Sequence, residues 1–340
     1  MNPRTLPYLF ILPLLFTFAK SGVATADEVN VYSYRQPFLI KPMFDTFTRQ
    51  TGIKVRSVFA KKGLVERLQS EGRNSPADII FTADIGRLDS ALQAGVTQGV
   101  ETEVLSDSIS EEFRDPDGHW YGLTTRARII VTSKDRIKPG QIESYEDLAS
   151  PQYEGRICTR SGKHEYMVAL IASVIAHSGE ESAKSWLEGV KGNLARKPQG
   201  NDRAQVKAIH AGECDIAIIN SYYMGNMLND EEQSAWANAV DIVFPNQQDR
   251  GTHLNVSGMA LTKNAPNRDN AIKLMEFLAG ELAQQMYAEQ NFEYPINPNV
   301  EPSGLLKSWG DFDHDKLPLS EIAKHRSTAT RMVDIVNYDG

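Results

Sequence analysis

Apolar positions recur along this chain with two different periods. Residues 28–34 alternate polar and apolar and predict a strand. Residues 38–51 set Phe38, Ile40, Met43, Phe44 and Phe47 for burial on an amphipathic helix that Gly52 ends. A strand over 53–59, a helix over 64–71, a strand over 77–81 and a helix over 85–94, closed by Gly95, follow in turn. This β-α-β-α-β-α order predicts a mostly parallel sheet with right-handed crossovers. From 120 to 132 the pattern becomes one long extended stretch, suited to crossing between lobes. A second α/β unit comes next. It has a short helix from Ser144 to Leu148, with Ser144 and Asp147 at capping-box spacing. It continues with a strand over 156–159, helices over 166–176, 180–190 and 204–211, and strands over 216–219 and 241–244. Residues 252–262 form a second extended stretch, the return crossing. Single helices are predicted over 270–290 and 319–336.

Two α/β units joined by two crossings predict an α/β, two-lobed protein. It has two mostly parallel sheets and a cleft hinged on the extended crossings. The first lobe takes 27–125 and 253–300, the second 126–252, and 301–340 is a helical segment packed on the lobes. The chain length of 340 residues suits two domains.

Residues 1–26 read as a signal peptide. Arg4 supplies the positive charge, 6–18 are almost unbroken apolar sequence, and Ala24-Thr25-Ala26 is a small-residue cleavage site. The apolar run is short for a membrane span. Removal after Ala26 predicts a periplasmic, Gram-negative location with no membrane insertion of the mature chain. The net charge of −8 argues against nucleic acid and anionic lipid as partners. An exported chain permits a disulfide. Cys158 and Cys214 each lie at or near a predicted strand start, so a bridge is expected if those strands are neighbours, and two free buried thiols are the alternative.

The candidate chemistry centres on one turn. Ile216 to Ile219 reads as a buried strand, Asn220 and Ser221 as the cap of a helix, and Tyr222 and Tyr223 as its first turn. The tyrosines then stand at the carboxyl end of a strand, where open α/β sheets bind ligands. Two phenols on one helical turn can reach a common point, and a hard, highly charged metal ion prefers oxygen donors and drives off the phenol proton. On these residues alone a packing role stays open. Tyr166 also follows a strand-to-helix turn and can face the same cleft. Arg35, at the end of the first strand, and Arg126, in the first crossing, could together grip an anion. Tyr32 reads as core, while Tyr34 lies nearer the strand end and can reach the cleft. His164, His210 and His253 are expected at the surface or cleft rim. P-loop, dinucleotide, zinc-protease and nucleophile-elbow motifs are absent from the sequence.

Several stretches together are specific. Val29-Asn30-Val31-Tyr32-Ser33-Tyr34-Arg35-Gln36-Pro37, Lys62-Gly63-Leu64-Val65, and Ser75-Pro76-Ala77-Asp78 resemble the ferric-ion-binding proteins of bacterial ABC importers. So do residues 122–128, 194–200 and Asn220-Ser221-Tyr222-Tyr223, and the resemblance spans the mature chain. It implies a type II periplasmic binding-protein fold and delivery of Fe³⁺ to an inner-membrane ABC permease by a monomer that is not an enzyme. It makes Tyr166, Tyr222 and Tyr223 ferric ligands, and Arg35 and Arg126 the holders of a synergistic anion such as carbonate. Many relatives carry Arg-His-Tyr after the first strand. Arg35-Gln36-Pro37 departs from that, which leaves Tyr34 as the possible additional ligand and gives the anion more weight. Closure is then expected to depend on Arg35 meeting the bound anion. The competing readings are a binding protein of the same fold for an organic solute or oxyanion, and a secreted hydrolase. No carboxylate pair or nucleophile-base set in the sequence supports the hydrolase.

Overall fold

The thirteen-residue strand Tyr121–Ser133 is buried along its whole length and runs through the middle of the molecule. The computed structural model describes residues 27–340, and the expected signal segment 1–26 lies outside them. Among the described residues the strands are β1 (Glu28–Ser33), β2 (Lys54–Phe59), β3 (Ile79–Thr82), β4 (Tyr121–Ser133), β5 (Ile157–Cys158), β6 (Ile216–Asn220), β7 (Val240–Val243), β8 (Leu254–Leu261) and β9 (Tyr294–Pro295). Their order is β2-β1-β3-β8-β4-β6-β5, with β7 and β9 also paired to β4. No helix of the described residues is long and apolar enough to cross a membrane.

The two crossings are hydrogen-bonded to each other. β4 pairs antiparallel with β8 from Tyr121↔Met259 to Ala127↔Leu254, with a register irregularity between Gly122 and Thr124. Beyond Ala127, β4 leaves β8 and pairs antiparallel with β6 and β7. Between the named strands, parallel pairing is confined to β1 with β2 and β3, and to β5 with β6. The sheets are therefore mixed where the local β-α-β pattern predicted mostly parallel ones. The reason is topological: a strand arriving from the other half enters its new sheet from the opposite end. With layers on both faces, β4 loses the alternation of a half-exposed strand, as buried strands do.

Two predicted helices are each broken in two. Residues 270–290 form Arg268–Ala279 and Glu281–Asn291, separated at Gly280, which is extended at φ −72° and ψ 161°. The buried Gln284 amide donates to the carbonyls of Leu123 and Leu278, which redirects the second helix onto β4. Residues 319–336 form Leu319–Lys324 and Arg326–Val336, broken at His325. The capping box forms: Ser144 Oγ accepts from the Asp147 N–H at 3.1 Å, and Asp147 Oδ2 accepts from the Ser144 N–H at 2.9 Å. A disulfide joins Cys158 to Cys214, with Cα atoms 5.9 Å apart and a sequence separation of 56. A bridge of this kind contributes about 2–4 kcal/mol.

Candidate metal and anion site

The chain leaves β6 at Asn220 and begins the helix Tyr222–Leu228 after one residue. Ser221 does not cap that helix with its side chain. Its hydroxyl instead accepts from the Ala127 N–H at 3.1 Å, and its own N–H donates to the Ala127 carbonyl at 2.9 Å. This fastens the turn to β4, so the tyrosine pair projects from a rigid base. The rings of Tyr222 and Tyr223 lie side by side, 4.1 Å between centroids and 33° between planes.

Tyr166 stands in the first turn of the helix Glu165–Ser178. The His164 ring accepts from its N–H at 3.2 Å and so caps the helix. Around the Tyr166 ring, the guanidinium carbons of Arg160, Arg126 and Arg128 lie 5.2, 5.9 and 6.0 Å from the centroid. Arg126 is also 6.0 Å from the Tyr222 centroid. The three tyrosines, Arg35, Arg126, Arg160 and Glu293 line one cleft cavity of about 480 Å³. A hollow of similar size beside Ile137 and Phe244, about 510 Å³, gathers neither a phenol nor an arginine. Among the described residues, no cluster of three His, Cys, Asp or Glu could hold a metal, which leaves the phenols as the concentrated oxygen donors.

The electrostatics fit a cation on the phenols with an anion beside it. Burial raises the Tyr166 phenol pKa, with Arg126 opposing. Burial and the neighbouring Tyr166 and Tyr223 raise Tyr222 well above the usual phenol value. Burial and Asp202 push Tyr223 up to about 12. Without a metal these groups are neutral phenols. Arg126 is almost wholly buried; one Nη donates to the Ala83 carbonyl at 2.5 Å, its Nε and other Nη make no hydrogen bond, and that second Nη faces Glu293 Oε1 at 3.8 Å. Buried N–H groups left unmatched are costly, so an anion that accepts from them is favoured. Nε of Arg35 and of Arg160 are unmatched too.

Some expected residues are engaged elsewhere. The Tyr34 hydroxyl accepts from the N–H groups of Leu64 and Val65 at 2.9 and 3.1 Å and so serves the start of the helix Leu64–Glu71. It borders the cavity, but its oxygen is spoken for, which counts against it as the additional ligand. Tyr32 is core, as expected, and donates to Glu71 at 2.9 Å. His164 borders the cavity and His210 is exposed. His253, expected at the rim, is instead buried in the return crossing. There its carbonyl accepts from the Arg128 N–H at 2.8 Å.

Sequence reasoning missed three groups. Glu293, just before β9, is buried and accepts from Arg35 at 2.9 and 3.0 Å and from the Thr124 hydroxyl at 2.7 Å. Nothing around a single Glu between helix and turn marks it. Asp202, the buried first residue of the helix Asp202–His210, accepts from Arg128 at 2.9 Å, Arg160 at 2.8 Å and the Asn220 N–H at 2.8 Å. Burial alone would raise its carboxyl pKa; Arg128 and Arg160 outweigh that and bring it below the ordinary value. Arg160 follows β5 at the same strand end that pointed to Tyr166, so position could have found it. Across the cleft, Arg87 lies 3.3 Å from Glu165, the residue next to Tyr166.

The profile for bacterial extracellular solute-binding proteins matches residues 74–313. Iron uptake protein A1 of Synechocystis sp. is 43% identical over 91% of this chain and 86% of its own length. The solved structure of apo ferric ion-binding protein A from Pasteurella haemolytica superposes with a TM-score of 0.89 at 52% identity, covering 93% of this chain and 99% of that one. A Trichodesmium protein solved with iron and citrate ligands gives a TM-score of 0.87 at 40% identity, over 92% and 99% of the two chains.

Proposed function

The chain belongs to the family of bacterial extracellular solute-binding proteins, and we propose that the solute it carries is Fe³⁺, taken up for import. The observation that carries this reading is the convergence of Tyr166, Tyr222 and Tyr223 on one cavity beside the unmatched N–H groups of Arg126. Three phenolates neutralise the charge of Fe³⁺, and phenolate oxygen is a hard donor suited to it. Each phenol gives up its proton as the metal binds.

The remaining coordination belongs to an anion such as carbonate, held by Arg126 with Arg35 at the margin. The iron and citrate of the Trichodesmium relative support a small carboxylate or carbonate-like partner. All three phenols lie between the two crossings, in the span 126–252, and Gln36-Pro37 supplies no phenol from the other half. The metal is therefore loaded on one lobe and covered by the other. The protein works in the periplasm as a monomer, catalyses nothing, and hands the ion to an inner-membrane ABC permease.

The test is to titrate purified, metal-free protein with Fe³⁺ and bicarbonate. A visible ferric-phenolate absorption and one retained iron per chain are expected. Retention of a colourless organic anion with no iron would replace this reading with that of an oxyanion or organic-solute carrier.

A further inference from the structure

The two turns that present the phenols are held by different parts of the chain. Ser221, before Tyr222, is fastened to Ala127 of β4 through both side chain and backbone. The turn before Tyr166 has no such strand beside it, because β5 ends at Cys158. Asp202 holds the Arg160 side chain at 2.8 Å and the Gln199 N–H donates to the Thr159 carbonyl at 3.2 Å, while Ser161 and Gly162 are held from the far end of the sequence. Asp339 Oδ2 accepts from the Ser161 hydroxyl at 2.6 Å, and Asp339 Oδ1 accepts from the Gly162 N–H at 2.7 Å. The buried Tyr338 hydroxyl lies 2.9 Å from the Thr159 hydroxyl. The fit leaves no slack: a Cβ at Gly162 would stand 2.8 Å from the Tyr338 ring and 2.9 Å from Val333. Within the turn, the Lys163 N–H donates to Ser161 Oγ and the His164 N–H to the Ser161 carbonyl, at 3.2 and 3.1 Å. Ser161 thus links Asp339 to the cap of the helix that carries Tyr166.

We propose that Asp339, supported by Tyr338, is a positioning residue for Tyr166: it sets the turn so that the third phenol meets the metal with the other two. This rests on the ferric reading above. An Asp339→Asn change keeps shape but removes the charge and one of the two acceptors. With a charge-assisted hydrogen bond lost, the change should speed iron release to a competing chelator about tenfold or more. The visible absorption per iron should weaken, and Asp339→Glu should restore part of both.

The decisive comparison is made in the Tyr166→Phe background, where Asp339→Asn should alter iron release by less than about twofold, as expected when two residues act through one contact. Iron-free protein supplies a second reading. The ring NMR signals of Tyr166, identified by their loss in Tyr166→Phe, should move in Asp339→Asn while those of Tyr222 and Tyr223 stay. Equal effects with and without Tyr166, or equal movement of all three tyrosines, would overturn the proposal. Failure of the wild type to retain iron would overturn the ferric reading instead, and the iron-free spectra would still decide the role of Asp339.

Discussion

Glu293 binds Arg35 through both carboxylate oxygens, at 2.9 and 3.0 Å, although the two are 258 positions apart in sequence. Burial works against the Arg35 charge, and Glu293 outweighs it, raising the guanidinium pKa above its ordinary value. Arg35 thus brings its own anion to the cleft. Arg126 Nε and Nη1 and Arg35 Nε are buried without a hydrogen bond, Glu293 Oε1 lies 3.8 Å from that Arg126 Nη1, and the proposed anion would meet both guanidiniums. The expectation that closure turns on Arg35 therefore has to include Glu293, whose charge offsets the positive charge that an anion there would feel.

Glu293→Gln preserves shape and removes that charge. The bicarbonate concentration that half-develops the ferric absorption should fall, by about tenfold if one charge-assisted contact is gained. Glu293→Ala leaves Arg35 buried and unpaired, and should cost about 3–5 kcal/mol in urea unfolding. An unchanged bicarbonate requirement in Glu293→Gln would mean the carboxylate is only structural.

The tyrosines should separate into two groups. Tyr166→Phe, Tyr222→Phe and Tyr223→Phe each remove one phenolate, and each should shift the visible absorption and speed iron loss. Tyr32→Phe and Tyr34→Phe should leave the absorption in place. Tyr34→Phe should lower stability by about 1–3 kcal/mol, because two N–H groups lose their acceptor. Loss of colour in Tyr34→Phe would make it a ligand after all.

Iron retention should weaken on acidification. Burial raises all three phenol pKa values, so the iron-free protein holds the phenol protons and the loaded protein does not. Protons therefore compete with iron, and lower pH favours release. Equilibrium dialysis against a chelator whose own protonation is corrected for should give an apparent affinity that drops with falling pH. A flat profile would contradict phenolate ligation.

Asp202 predicts a second, independent acid effect. Its folded carboxyl pKa lies below the unfolded value, so its stabilisation is full above the unfolded pKa of about 3.9 and is lost as pH falls through the folded pKa. Asp202→Asn should unfold more easily at neutral pH, by about 3–5 kcal/mol, because Arg128 and Arg160 lose their buried partner. Its stability should then change less than the wild type's under strong acid, measured by urea melts across pH.

The local layers of this fold were legible because each had a periodic signature. Leu64–Glu71 and the start of Glu180–Gly192 follow directly from apolar spacing, and the two crossings from long stretches without a helical period. Strand direction was not legible, since periodicity carries no sign of which end of a sheet a strand enters. The break at Gly280 was hidden because both flanking segments keep a helical pattern, and the turn is fixed by contacts of Gln284 with distant carbonyls. At the site, Tyr222 and Tyr223 announced themselves as neighbours at a strand end. Glu293 and Asp202 did not, because their importance comes from arginines brought to them only by folding.

The pairing of β4 with β8 has a mechanical consequence. A swivel needs a connection whose backbone is free to rotate. Here the two strand crossings are bonded to each other, with the register irregularity between Gly122 and Thr124 as their softest point. Such a pair acts as a leaf spring: it bends and twists as one piece, and it returns. Opening then stores elastic strain along a fixed arc rather than exploring many lobe orientations. Hydrogen exchange should find the amides of Thr125 and Val256 slow in both iron-free and loaded protein, with any difference gathered near Gly122. A pair of this kind would hold any opening to that same arc, so the turns bearing Tyr166, Tyr222 and Tyr223 would face one way each time the cleft opens.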